Sequence, residues 1–121
     1  MILILILLFI SIPGKSQDQP VTDSLFVVIF TTGPAWDAAK PPGEQPNFKE
    51  HSANLGRLRK EGVIKLGGRY ADKGMIIFSA NSTAAAKAMI DSDPGVASKL
   101  FNADLQKLNM FYFGCLEKPK Q

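Results

Sequence analysis

The chain has 121 residues, 45% of them hydrophobic, with a formal net charge of +3 and a single cysteine. Once an apolar leader is set aside, about 105 residues remain, enough for one domain with one core but not two. The positive charge is spread out, and no basic run is interleaved with aromatics, which argues against nucleic acid as a partner. A lone cysteine excludes an internal disulfide.

Residues 1–12 are an unbroken apolar run apart from Ser11, followed by Pro13-Gly14-Lys15-Ser16-Gln17. The run is too short to span a bilayer. It has the length of a signal-peptide apolar region, and Gly14 and Ser16 supply small residues ahead of a cut before Gln17. The competing reading is a first sheet strand. No cysteine stands close after the run, so the usual lipoprotein anchor is not expected. The expectation is a signal peptide over 1–16, a flexible lead-in over 17–24, one domain over 25–116 and a C-terminal tail over 117–121. Such a protein is exported, periplasmic or secreted, and has no stable membrane insertion after cleavage.

Leu25-Phe26-Val27-Val28-Ile29-Phe30 predicts a strand apolar on both faces. Residues 33–46 hold four prolines and two glycines and read as a long, mobile loop, a length often tied to function. A first helix is expected over 47–61, ended by Gly62. A hairpin follows, with strands over 63–70 and 75–79 and a turn at Ala71-Asp72-Lys73-Gly74. Ser82 caps a second helix to about Asp91, burying Ala85, Ala86, Met89 and Ile90. Asp93-Pro94 opens a short helical piece. A final strand is expected over 105–116, and Cys115 within it reads as a small core residue rather than a reactive thiol.

Strand, helix, strand, strand, helix, strand is the ferredoxin-like βαββαβ plan, an α+β fold with both helices on one face of an antiparallel sheet. That leaves the other face uncovered. Yet Leu25, Val27 and Ile29 oppose Phe26, Val28 and Phe30, Met75 and Ile77 oppose Ile76 and Phe78, and Met110 and Tyr112 oppose Phe111 and Phe113. So large an open apolar face is abnormal for a soluble monomer. The expected cover is a second copy, sheet against sheet, in a symmetric homodimer.

His51, the only histidine, lies three residues after Phe48, four before Leu55 and seven before Leu58, on their helix face. It is either tied up in the core or presented to a cleft. The topology gathers His51, Arg69, Tyr70, Asp72, Asp93 and the loop with Trp36 at one edge of the sheet. A carboxylate bonded to one ring nitrogen fixes the tautomer, and the other nitrogen becomes a general base. Arg69 can hold an anionic substrate or a developing oxyanion. The plainer readings are a structural histidine, a turn residue at Asp72, a helix cap at Asp93, a surface cation at Arg69 and a packing anchor at Trp36. There is no zinc-ligand spacing, no Gly-rich phosphate loop preceding a helix and no G-x-S-x-G, so neither metal nor cofactor is expected.

The order of motifs resembles the YCII-related (YciI-like) family. The matching pieces are Phe26-Val27-Val28-Ile29-Phe30, then His51 with Leu55 and Leu58, then Gly62-Val63-Ile64, Gly67-Gly68, Asp72 and Gly74. The alanines at 84–86 and 88 and Asp93-Pro94 with Val96 complete the pattern, which covers about residues 25–113. The resemblance implies a dimeric α+β barrel with a His–Asp active site, which by position is His51 and Asp72. Some members act on chlorinated aromatic breakdown products. This chain departs in its leader, its longer loop over 33–46, and Arg69 in place of a proline. Two functions follow: a cofactor-free lyase or isomerase using His51 as base, with Arg69, Tyr70, Trp36 and Asp93 around an unknown small molecule, or a non-catalytic ligand-binding or dimeric structural module.

Overall fold

The computed structural model describes residues 23–114, together with Gly14, Leu116 and Pro119. Apart from Gly14, the expected signal peptide and most of the expected lead-in lie outside the described residues, as do Cys115 and most of the expected tail.

The order is β1 (Ser24–Thr32), α1 (Phe48–Lys60), β2 (Ile64–Tyr70), β3 (Lys73–Ala80), α2 (Thr83–Asp91), α3 (Pro94–Ala97) and β4 (Phe101–Leu108). The strands form one antiparallel sheet in the order β2-β3-β1-β4. This is the ferredoxin-like plan, and the helices cover one face.

Strand alternation builds the core. Phe26, Val28 and Phe30 of β1 face inward beside Phe78 and Ile76 of β3, and Ala86 and Ile90 of α2 pack onto them. Leu58 of α1 is also buried. The helix ends follow local chemistry. Gly62 takes φ +77, and the amides of Gly62 and Val63 bond the carbonyls of Arg59 and Leu58, a Schellman ending that a residue with a Cβ adopts only under strain. The Ser82 side chain accepts from the Ala85 amide at 3.0 Å, the expected N-cap of α2.

The last strand differs from expectation. It begins at Phe101, paired with Thr32, and ends at Leu108, paired with Leu25. Ladder length is set by the partner: β1 starts at Ser24, so no partner remains for the aromatic run beyond Leu108. Phe111, Tyr112 and Phe113 are therefore exposed and outside the sheet. The outward positions of β4 are the polar Asn102, Asp104 and Gln106. The apolar face that the described residues leave uncovered is thus narrower than expected, made by Leu25, Val27 and Ile29 with Met75, Ile77 and Leu66.

Candidate active site

The first turn of α1 points His51 inward, where its ring meets Phe101 at 4.7 Å and, edge-on, Phe30 at 5.3 Å between centroids. The residue is 7% exposed. Its Nδ1 lies 2.6 Å from Asp93 Oδ2. Asp93 precedes Pro94, which holds it in extended backbone (φ −62, ψ 130) at the N-cap of α3. From there Oδ2 also accepts the amides of Gly95 at 3.0 Å and Val96 at 3.3 Å. Asn54, one turn along α1 from His51, donates from Nδ2 to Asp93 Oδ1 at 2.8 Å. Asp93 is thus both helix cap and histidine partner.

Asp93 is 1% exposed. Burial pushes its carboxyl upward, but the hydrogen bonds from His51 and Asn54, the attraction of the ring and the Val96 amide outweigh it, holding the group below its ordinary value. An ionised carboxylate only accepts, so the network assigns the shared proton to His51 Nδ1. Nδ1 makes the ring's hydrogen bond, and no buried side-chain nitrogen or oxygen among the described residues lacks a partner. Nε2 is therefore the accessible nitrogen, in the cleft that His51 lines, and in the neutral ring it carries the lone pair.

That cleft has a volume of about 520 Å3. Phe30, Trp36, Phe48 and Phe101 form an aromatic wall, and Arg69 and Asp72 supply charge. Trp36 lies 5.7 Å from Phe101 between centroids. The loop over 33–46, expected to be mobile, is tied down. Buried Gln45 donates from Nε2 to the carbonyls of Asp37 at 2.6 Å and Lys40 at 3.0 Å, and its Oε1 accepts the Asp37 amide at 3.0 Å. At the loop's start, the Gly33 amide donates to the Leu100 carbonyl at 2.8 Å.

The structure corrects the expected pair. His51 and Asp72 do line one cleft, but the carboxylate on the ring is Asp93, not Asp72. Asp72 sits at the exposed tip of the β2–β3 hairpin and accepts from Lys73 Nζ at 3.1 Å; that bond holds its carboxyl below the ordinary value. The reason is tertiary. Both carboxylates reach the same edge, but α3 packs against α1 and carries Asp93 under His51, whereas a hairpin tip projects to solvent. Asp93 is consequently behind the histidine and not a cleft wall. Tyr70 is half exposed and is not a wall either, so neither residue is where a substrate contact was expected.

Two residues escaped sequence reasoning. Asn54 was visible only as a polar residue three positions after His51 on its helix. Gly95 leaves room for the ring: a Cβ there would stand 3.0 Å from His51 Cβ and Cγ and 2.9 Å from Phe101 Cδ2. Among the described residues, no three His, Cys, Asp or Glu side chains come together to hold a metal ion.

No family model and no curated protein matches this sequence. The structure is similar to that of 5-chloro-2-hydroxyhydroquinone dehydrochlorinase (TftG) from Burkholderia phenoliruptrix AC1100, solved in complex with 2,5-dihydroxybenzoquinone. The TM-score is 0.46, with 18% identity, covering 69% of this chain and 93% of that one. That reaction and that ligand belong to the bacterial enzyme; the fold of the present chain rests on its own strand order.

Proposed function

We propose that the protein is a cofactor-independent enzyme of lyase or isomerase type, in which His51 Nε2 takes a proton from a small aromatic or anionic molecule in the cleft. The observation that carries this reading is the buried His51–Asp93 pair, whose remaining nitrogen is the accessible one against an aromatic wall. The substrate's C–H bond breaks and its proton goes to Nε2. The electron pair moves into the substrate's π-system, or expels a leaving group. Asp93 stabilises the imidazolium so formed, and the proton then returns to the substrate or passes to water. Arg69 at the rim balances anionic charge on the substrate or its conjugate base.

Proton abstraction can be tested before the substrate is identified. A panel of small phenols, enols and aromatic acids is incubated with the protein in D2O, and solvent exchange at carbon is followed by NMR. Exchange on a panel member, abolished in His51→Gln, is expected; exchange that persists in that variant refutes the base. The aromatic wall also fits a binding module without turnover, which would retain ligand affinity in His51→Gln and show no exchange in the native protein.

The same reading takes the protein to be exported, YciI-like and homodimeric. Its support is the apolar run over 1–12, the order of the family motifs, and the apolar face centred on Val27 and Ile77. Mass spectrometry of the protein from its native host is expected to find a chain lacking about the first 16 residues, a typical signal-peptide length. An intact Met1 in the cytosol refutes export.

A further inference from the structure

We infer that Asn54, held by Arg57, is a positioning residue that fixes the proton of His51 on Nδ1; the inference rests on the general-base reading and names what supports it. His51, Asn54 and Arg57 of α1 and Glu61 at its C-cap follow one another at spacings of three, three and four, one stripe of the helix. Joined through Asp93, they form an unbroken hydrogen-bonded chain from the exposed end of the helix to the cleft. Arg57 Nη1 donates to both carboxylate oxygens of Glu61 at 3.0 Å, and Nη2 donates to Asn54 Oδ1 at 2.9 Å. Asn54 Nδ2 then donates to Asp93 Oδ1 at 2.8 Å, and Asp93 Oδ2 meets His51 Nδ1 at 2.6 Å.

The direction of this chain is set at its exposed end. A guanidinium has donors only, so the atom of Asn54 facing it must be oxygen, and its amide NH2 must face Asp93. Asp93 then accepts on both oxygens, from Asn54 on one and from His51, Gly95 and Val96 on the other. A flipped Asn54 would set its oxygen against a carboxylate and its NH2 against a guanidinium, so two conflicts oppose one orientation. Asn54 does not touch the cleft. It acts through Asp93 by holding the carboxylate plane with Oδ2 aimed at the ring.

Because His51 is the only histidine, a ring-nitrogen NMR spectrum of 15N-histidine-labelled full chain reads this one residue without a substrate. Native protein is expected to show protonated Nδ1 and unprotonated Nε2 at pH 8. Asn54→Leu removes both amide bonds at similar volume. Loss of one bond to a charged acceptor predicts Nδ1–H exchange with water about tenfold faster, or about 1.4 kcal/mol. Arg57→Met, at an exposed site, is expected to act in the same direction, with Arg57→Lys restoring the native rate. Arg59→Met, a cation of the same helix outside the chain of bonds, is the control and should leave the rate unchanged. If Asn54→Leu fails to fold, the Arg57 variants decide. Native exchange in Asn54→Leu or Arg57→Met overturns the inference while leaving His51 as base; Nε2–H in the native protein overturns both.

Discussion

Asp93→Asn replaces the buried carboxylate with a group of the same shape and isolates what its charge does. The amide can still cap α3 with its oxygen toward Gly95 and Val96. Its NH2 must then face the Asn54 NH2, which Arg57 holds in place, so donor meets donor where the native protein has a 2.8 Å bond. The bond from His51 also falls from charge-assisted to neutral. Halving one charged hydrogen bond and losing another gives a destabilisation of about 3 kcal/mol, or roughly 12–24 °C in Tm for a domain of this size. Thermal and urea unfolding at pH 7 measure it. The pH dependence gives a second reading. The Asp93 carboxyl is held below its ordinary 3.8 in the fold, so its contribution is complete above pH 3.8 and disappears as pH falls through the lower folded-state value. Native protein and Asp93→Asn are therefore expected to converge in stability in acid below that point. A variant within about 0.5 kcal/mol of native at pH 7, the range of ordinary surface substitutions, refutes the reasoning. So does a gap that does not narrow in acid.

Gly95→Ala should improve helix propensity, yet its Cβ meets His51 and Phe101 at about 3.0 Å, so unfolding should show a loss of about 1–3 kcal/mol from overpacking; a stabilised variant would show that the ring yields freely. Gln45→Ala removes three bonds within the loop and is expected to cost about 1–3 kcal/mol and to make residues 37–45 the first site of limited proteolysis, while unchanged protease resistance would count against the staple. Val27→Asp changes the outward sheet face and should turn the proposed dimer into a folded monomer, whereas Val28→Asp, within the core, should prevent folding. Sedimentation at micromolar concentration checks this, and a native protein that sediments as a monomer defeats the dimer proposal.

The local pattern of the chain determined its elements. Two-faced apolar strands, Gly62 after α1, Ser82 before α2 and Asp93-Pro94 before α3 each carry their signal within a few residues, because capping and alternation are short-range physics. Their order then allowed little besides a βαββαβ sheet, and helical spacing placed His51 on the buried face of α1. What the local pattern could not rank was long-range partners. The aromatic run at 111–113 looks like a strand by composition, but a strand exists only where its neighbour offers a ladder, and β1 is used up at Leu108. Asp72 and Asp93 likewise both arrive at the edge that holds His51. Only the packing of α3 beneath α1, with a glycine at position 95 to admit the ring, decides that Asp93 takes the histidine while Asp72 stays with Lys73 in solvent. A hydrogen bond depends on tenths of an ångström between residues 42 apart in sequence, and that distance is set by the tertiary fold alone.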